Sequence, residues 1–426
     1  MKVFKFGGAS IRDYDSIHNV GNILNKYKDE KILIVISAMG KMTNAFEKVS
    51  EAFFEERKED TFRLFEKIKT AHLNLLKYLI TLQWEKATDT INNFFTEVEW
   101  LLHDKPVKDY NYYYDQIVCS GELLSSTLVS FFLNERKILN QWIDVRDLLR
   151  TDDTFRDAKV NWDVTKKNIE EKLLPLFANN NFVITQGFIG STDENESTTL
   201  GREGSDYTAA IFAEALNAES VTIWKDVNGI MNADPKEFKE AVTIEELSYK
   251  EVIEMAYYGA QVVHPKTIKP LQNKNIPLRV QSFFDIRLPG TVITKNQNHH
   301  LPPIIVYKHN QALITMQSID FSFVEGKPLN FLNEILKELR IKPNLSQNTA
   351  ISLMICIDDV QGKTELIASR ASEFFEVQVV KNLDLLTIRH YTPEYVGALS
   401  LGQEILLEQK TSEMIQLLMK KNESIN

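Results

Sequence analysis

The chain has 426 residues, 43% of them hydrophobic and 25% charged, with a net charge of −10. That length suits two or three domains, and the apolar share is that of a soluble globular protein. The acidic balance argues against a dedicated nucleic-acid binder, whose phosphate contacts need a basic surface.

Met1 leads directly into an apolar run, with no cationic leader ahead of it, and no run reaches the ~20 apolar residues of a membrane span. The two cysteines, Cys119 and Cys356, imply neither a disulfide framework nor a zinc site. The expectation is a cytoplasmic protein.

The first apolar run, at 3–6, predicts a short strand that passes into Lys5-Phe6-Gly7-Gly8-Ala9-Ser10. Gly7 and Gly8 lack a Cβ, so the backbone there is free to turn sharply or to approach a ligand. Apolar residues at helical spacing from 11 to 28 predict a helix behind them. Strand, Gly-Gly, helix sets backbone N–H groups beside a fixed cation, which suits a phosphate. A tight turn with a solvated lysine is the alternative.

Runs at 32–36 and 182–184 also end in small or polar residues, Ser37-Ala38 and Thr185-Gln186-Gly187. Such runs, separated by helical stretches, predict an α/β fold with a largely parallel sheet. Ligands of open α/β sheets bind at the carboxyl ends of the strands. From 46 to about 105 the chain is rich in Glu, Lys, Leu and Phe and free of Gly and Pro. That composition predicts two or three amphipathic helices whose task is packing.

Glu122 stands just ahead of an apolar helix at 123–133, where a first-turn carboxylate is unremarkable. The polar stretch STDENES at 191–197 predicts a mobile hairpin or loop. Gly201-Arg202-Glu203-Gly204-Ser205-Asp206 follows, ahead of a helix at 207–216. Ser and Asp are good N-caps, which accounts for Ser205 or Asp206 but leaves Arg202 without a task. With Lys5 on another strand end, Arg202 could balance an anionic substrate. A strand at 221–224 and the turn Lys225-Asp226-Val227-Asn228-Gly229 come next, and Asp226 and Asp234 suit ordinary turns.

The polar segment 295–303, which contains His299 and His300 and ends Leu-Pro-Pro, reads as a domain boundary. None of the eight histidines has metal-ligand spacing. Beyond it, strands at 311–318, 351–357 and 377–380 and helices at 329–340 and 364–375 predict a small α+β ferredoxin-like module of split βαβ type. A strand pair at 385–389 and 405–407 follows. Gly362-Lys363-Thr364 is a decoy for a Walker A loop, because residue 357 is Ile where the first glycine belongs. No G-x-G-x-x-G follows a strand, so a dinucleotide fold is unsupported.

Six blocks now fall into order: KFGGAS at 5–10, SGELL at 120–124, TQGFIG at 185–190, TTLGREGSDYTAA at 198–210, WKDVNGIMNADP at 224–235 and YGAQVVHP at 258–265. Together they resemble the signature of the aspartate kinases, a family of the amino-acid kinase superfamily. The similarity runs in register from 2 to about 294, and the C-terminal part resembles that family's ACT region more weakly. The resemblance implies an amino-acid-kinase-type fold, a mostly parallel sheet sandwiched by helices. It assigns a catalytic domain to 1–295, with a helical insertion at 46–112 and a nucleotide-binding lobe at 190–295. An ACT-like region, shortened at its second unit, occupies 304–426.

The implied reaction joins ATP and L-aspartate to give 4-phospho-L-aspartate and ADP, with Mg²⁺ carried by the ATP phosphates. Its nucleophile is a carboxylate, already ionised at neutral pH, so no general base is needed. Positioning and cations carry the catalysis. The resemblance makes Lys5 the cation on the transferring phosphoryl group, with N–H groups of Gly7 and Gly8 donating to it and Phe6 and Ser10 in the same loop. Asp206 orients Lys5 or the metal-bound phosphates. Glu122 holds the α-ammonium of aspartate and Arg202 a carboxylate, while Thr43, Ser37 and Ser205 line the same pocket. The nucleotide lies over Lys225, Asp226, Gly229, Ile230, Met231 and Lys236, with Gln261 and Val262 beside it.

Two positions depart from the family pattern. Glu203 stands where many members have Gly, and its carboxylate repels phosphates unless it points outward. Gln261 stands where a lysine is common, and Lys225, at a position often Thr, could replace that cation from the neighbouring strand end. In the ACT-like region the loop 323–328 brings Lys327 to where a lysine effector would bind, and Asn344 takes the place of an acidic residue. Both changes disfavour lysine feedback. The resemblance further implies a homodimer through the ACT-like region, no homoserine dehydrogenase region, and neither nucleic-acid nor membrane partners. A kinase for another carboxylate such as glutamate, or a silent amino-acid-sensing paralogue, is the alternative.

Overall fold

The structure, a computed structural model, describes residues 1–296 and 300–421; His299 of the expected linker and the last five residues of the 304–426 region lie outside them. Two compact units result. The first comprises Met1–Ile230, Thr243–Ile253 and Val262–Asn298, and the second Met231–Val242, Glu254–Gln261 and His299–Asn426. Segments 231–242 and 254–261, which the sequence places in the 1–295 domain, therefore group with the second unit.

The first unit carries strands β1 (Lys2–Phe6), β2 (Ile32–Ile36), β3 (Asn140–Trp142), β4 (Phe182–Gln186), β5 (Ile189–Ser191), β6 (Ser197–Thr199), β7 (Ser220–Lys225), β8 (Glu246–Ser248), β9 (Leu278–Ser282) and β10 (Thr291–Thr294). Among the described residues, eight of them form one sheet in the order β3-β4-β2-β1-β7-β9-β10-β8. Neighbours run parallel except β9 and β10. The central strands are buried almost throughout, as their unbroken apolar runs require when helices cover both faces. Phe6 stands level with Ile36 and Trp224, and Ile36 with Gln186. The turns after β1, β2, β4 and β7 therefore open on one edge of the sheet.

The polar stretch at 191–197 is the closed end of a hairpin between β5 and β6. Its loop is tied by Thr192, whose N–H donates to Glu196 O at 2.9 Å.

Helix α1 (Tyr14–Asn25) begins later than its apolar spacing suggests. A 3₁₀ turn at Gly8–Ile11 comes first, and Asp13 then caps the helix by accepting the Ser16 N–H at 2.9 Å. The predicted amphipathic helices are α2 (Met42–Phe54), α3 (Lys58–Leu79) and α4 (Trp84–His103). Their apolar faces, with Phe46, Phe65 and Phe95, join the cluster that also holds Phe4, Ile34 and Trp224 of the sheet. Each fully buried side chain of this size contributes roughly 1.5–3 kcal/mol of transfer free energy, so the insertion is part of the main core.

Helices α5 (Tyr110–Val118) and α6 (Ser120–Glu135) correct one expectation. Together, Tyr110–Glu135 is long and apolar enough to cross a membrane by length and composition, although no such run was expected. Its window is 89% buried inside the protein, which is the pattern of a core helix. The unit is completed by α7 (Trp162–Asn168), α8 (Gly204–Leu216), α9 (Tyr249–Tyr258, whose second half groups with the other unit) and α10 (Pro265–Lys274).

The second unit is α+β. Its strands β11 (Ile304–Ser318), β12 (Leu345–Asn348), β13 (Ser352–Asp358), β14 (Phe375–Arg389), β15 (Gln403–Lys410) and β16 (Met414–Lys421) pair antiparallel in the order β12-β13-β11-β14-β16-β15. The strands expected separately at 377–380 and 385–389 are one strand, and the one expected at 311–318 starts at Ile304. Register shifts between Lys308 and Leu313 mark where each long strand passes from one half of the sheet to the other. Helices α11 (Lys327–Glu338) and α12 (Lys363–Ala371) cover one half, and α13 (Pro393–Ser400) belongs to the other. Gly362-Lys363-Thr364 opens α12, with Lys363 Nζ on Leu339 O and Thr364 Oγ1 on Asp359 Oδ1. The triplet is structural.

Candidate active site

At the sheet edge where β1, β2, β4 and β7 end lies a cavity of about 550 Å³. Of the residues read from the sequence, Lys5, Gly8, Ser37, Thr43, Glu122, Arg202, Ser205, Asp206 and Lys225 line it. They come from β1, the turns after β1 and β2, the first turns of α2, α6 and α8, the turn before α8, and the end of β7.

Lys5 projects from β1 and folds back over its own turn, so that a Cβ on Gly7 would lie 3.4 Å from Nζ. Its ammonium sits 2.7 Å from Asp206 Oδ1, and the two side chains are 11% and 4% exposed. Asp206 is the third residue of α8 and does not cap it. The helix starts at Gly204 behind Glu203, which is left-handed at φ 53 and makes no side-chain cap bond. The N-cap reading of Ser205 and Asp206 is thereby replaced by a charge pairing. Burial pushes the Asp206 carboxyl up, but Lys5 and Lys225 outweigh it and hold it below the usual carboxylate range. The contact with Lys5 is an ion pair with hydrogen-bond character, and a carboxylate oxygen has a further lone pair with which to accept.

Gly8 is also required for a packing reason that the sequence does not suggest. A Cβ there would stand 2.7 Å from Gly40 O and 2.8 Å from Ala38 O, so the residue must be glycine for the turn after β1 to pack on the turn after β2. Gly40 N–H donates to Gly8 O at 3.0 Å across that junction.

Glu122 lies in the first turn of α6, 2% exposed. Its Oε1 accepts the Ala38 N–H at 3.1 Å, while the buried Oε2 has no hydrogen-bond partner among the described residues. Burial drives its carboxyl up to about 8, against the smaller pull of the Ala38 N–H and of Lys5. A buried carboxylate oxygen without a partner is costly, and a cation placed in the cavity removes that cost. Arg202 is exposed at the rim and has no ion-pair partner among the described residues.

The two departures from the family pattern find definite places. Glu203 Oε2 accepts the His264 N–H at 2.7 Å, so its carboxylate is tied to the loop ahead of α10. Lys225 Nζ donates to Val262 O at 2.9 Å and acts electrostatically on Asp206. Gln261 is exposed and groups with the second unit.

Several nucleotide-side expectations are not brought to this cavity. The Phe6 ring stacks on Trp224 at 6.0 Å in the core, so only its backbone is available to a ligand. The buried Ser10 hydroxyl donates to Trp224 O at 3.4 Å. Asp226 and Gly229 follow β7 outside the cavity lining, and Ile230 is buried with its N–H on Thr291 Oγ1 at 2.7 Å. Met231 and Lys236 belong to the second unit.

Five lining residues escaped the sequence reading: Gly40, Tyr114, Arg156, Phe188 and Thr199. Phe188 and Thr199 fall inside the quoted blocks TQGFIG and TTLGREGSDYTAA, so a signal existed. Tyr114 is hidden in an aromatic run and Arg156 in a polar turn, and nothing in their neighbours singles them out.

Residues 1–282 match the amino acid kinase family. The lysine-sensitive aspartokinase 3 of Escherichia coli (strain K12) is 32% identical over 397 residues, which cover 91% of this chain and 86% of that protein. The chloroplastic bifunctional aspartokinase/homoserine dehydrogenase of Daucus carota is 34% identical over 343 residues, 76% of this chain but 35% of that much longer protein. The crystal structure of E. coli aspartokinase III in complex with aspartate and ADP superposes with a TM-score of 0.81 at 29% identity, covering 98% of this chain and 96% of that one.

Proposed function

The chain belongs to the amino acid kinase family and, within it, to the aspartokinases; on that premise we propose that it transfers the terminal phosphoryl group of ATP to the side-chain carboxylate of L-aspartate. One oxygen of that carboxylate attacks the γ-phosphorus, the bond to the β–γ bridging oxygen breaks, and ADP leaves with the electron pair. The products are 4-phospho-L-aspartate and ADP. The observation that carries the reading is the buried oxygen of Glu122, without a partner among the described residues, in a cavity shared with Lys5 and Arg202. It is a socket for an ammonium group set among cations, which suits a zwitterion with two carboxylates.

Each charge read from the sequence then has a task. Glu122 takes the α-ammonium and Arg202 a carboxylate, with Thr43, Ser37 and Ser205 around them. Lys5 stabilises the negative charge on the transferring phosphoryl group, and the ion pair with Asp206 fixes the direction of its ammonium. Lys225, from the end of the adjacent strand, adds positive potential on the nucleotide side. Mg²⁺ is proposed to arrive on the ATP phosphates. Among the described residues no group of three or more His, Cys, Asp or Glu side chains could hold a metal, whereas Asp206, with acceptor capacity left on Oδ1, suits a phosphate-bound cation. When bound, the ion neutralises phosphate charge. A cytoplasmic setting, where ATP and free amino acids are at hand, and a homodimer through the second unit complete the proposal; the exposed Phe321 and Phe323 of that unit offer apolar surface for a partner copy.

Incubation of the full chain with MgATP and hydroxylamine, with aspartate or glutamate as acceptor, tests the function directly. Aspartyl hydroxamate from aspartate alone is the expected product. Glutamyl hydroxamate would point to a different carboxylate kinase, and neither product would leave only a sensing role.

A further inference from the structure

One cation of the cavity, Arg156, has no part in the assignment above. It stands at φ 70, a left-handed conformation that residues with a Cβ seldom adopt and that persists where surrounding structure dictates it. Four hydrogen bonds hold the turn that carries it. The Arg156 N–H donates to Asp115 Oδ2 at 3.0 Å, and Asp115, wholly buried, also accepts the N–H and hydroxyl of Thr199 at 2.7 Å each. Ala158 N–H donates to Thr199 O at 3.0 Å. A Cβ on Gly201 would lie 3.0 Å from Arg156 O, so the turn carrying Arg156 abuts the turn carrying Arg202.

The side chain is held as well, but by its face. The guanidinium lies over the Tyr114 ring at 4.2 Å and over Tyr110 at 5.6 Å. Its edge contacts are long, 3.9 Å from Nη2 to Glu47 Oε1 and 3.5 Å from Nη1 to Asn111 Oδ1. Stacking uses the π face of a guanidinium and leaves its in-plane N–H donors for a planar anion.

The cavity cations thus fall into two pairs. Lys5 and Lys225 stand at the ends of β1 and β7 and share Asp206, whereas Arg156 and Arg202 stand on adjoining turns beside β6. The reacting carboxylate must approach the phosphoryl group beside Lys5, which leaves the α-carboxylate for the arginines. We propose that Arg156 is a specificity-determining residue that, together with Arg202, clamps the α-carboxylate of the bound amino acid. This rests on the aspartate kinase reading.

The test uses the full chain at saturating MgATP, with Arg156→Gly, which relieves the left-handed backbone, and Arg156→Lys. Kinetics are read for aspartate, and aspartate α-amide, neutral at the α-position, is read as a competitive ligand. Loss of a charge-assisted contact to the carboxylate should raise KM for aspartate about tenfold or more in Arg156→Gly. KM for ATP and the inhibition constant of the α-amide should stay as in the parent chain, with Arg156→Lys between the two. An unchanged KM for aspartate, or an equal loss for aspartate and the α-amide, overturns the proposal. If the parent chain itself forms no acyl phosphate from aspartate, the function assignment fails first, and that outcome is distinct.

Discussion

Lys5 Nζ and Asp206 Oδ1 are 2.7 Å apart in a setting where both side chains are nearly closed to solvent. The pair joins the first strand to α8 across some two hundred residues of chain, and it points an ammonium at the cavity instead of into the core. A lysine buried this far needs a counter-charge, so the same carboxylate that stabilises the fold also aims the ammonium proposed to act on the phosphoryl group.

Replacing Lys5 by Met should therefore separate two effects. Turnover should fall about 10²–10³-fold, the scale of removing one preorganised charge contact to a transition state. The lone Asp206 carboxylate should also lower the melting temperature, and Lys5→Met/Asp206→Leu should recover stability but not activity. Steady-state rates and thermal melts of both variants check this; turnover retained in Lys5→Met would remove Lys5 from the mechanism.

Glu122 makes the free protein pH-sensitive. Its carboxyl is raised to about 8 from an ordinary value of 4.5, so the folded state prefers the neutral acid. Its stabilising contribution is complete below pH 4.5 and is lost as pH rises through 8. The melting temperature of the free chain should fall across that window, and added aspartate should restore it by supplying an ammonium. Aspartate binding at pH 7 should then release a proton, measurable by calorimetry in buffers of different ionisation enthalpy. Glu122→Gln should abolish both effects; proton release that survives in that variant would assign it to another group.

Lys225 donates to Val262 O at 2.9 Å and helps to keep Asp206 ionised. If it supplies the cation that Gln261 does not, Lys225→Ala should raise KM for ATP about tenfold, the effect of one lost charge contact, and spare KM for aspartate. An unchanged KM for ATP would show that the nucleotide does not feel this lysine.

In the second unit Asn344 spends its amide internally. Its Oδ1 accepts Lys308 Nζ at 2.9 Å, and its Nδ2 donates to Gln311 Oε1 at 2.8 Å and Asp358 Oδ1 at 2.9 Å. No carboxylate stands at position 344 to meet a cationic amino acid, so lysine added to the hydroxamate assay should inhibit weakly or not at all. Strong inhibition by lysine would mean that other side chains of this unit hold its ammonium.

Much of this architecture was legible in the sequence. Strands β1, β2, β4 and β7 are apolar runs closed by glycine, serine or lysine, and local patterning of that kind survives whatever the rest of the chain does. The misreadings fall at left-handed residues. The start of α8 moved because Glu203 takes a left-handed conformation, and β14 runs unbroken although Asn382 within it has φ 58. Glu203 is tied to the loop ahead of α10, which is distant in sequence, by the His264 N–H. Tyr110–Glu135 reads as a core helix only when its surroundings are known.

The sequence by itself determined the central strands β1, β2, β4 and β7, the amphipathic helices α2 to α4, which turns hold glycine, and which family the chain resembles, because those follow from the periodicity and chemistry of adjacent residues. Only the tertiary structure decided that Phe6 and Ser10 face Trp224, that Glu122 keeps one oxygen without a partner among the described residues, and that Arg156 joins Arg202 at the cavity. Those outcomes depend on strand register and on packing between turns far apart in the chain. Burial and charge proximity are properties of that three-dimensional arrangement, and they set what each ionisable group does.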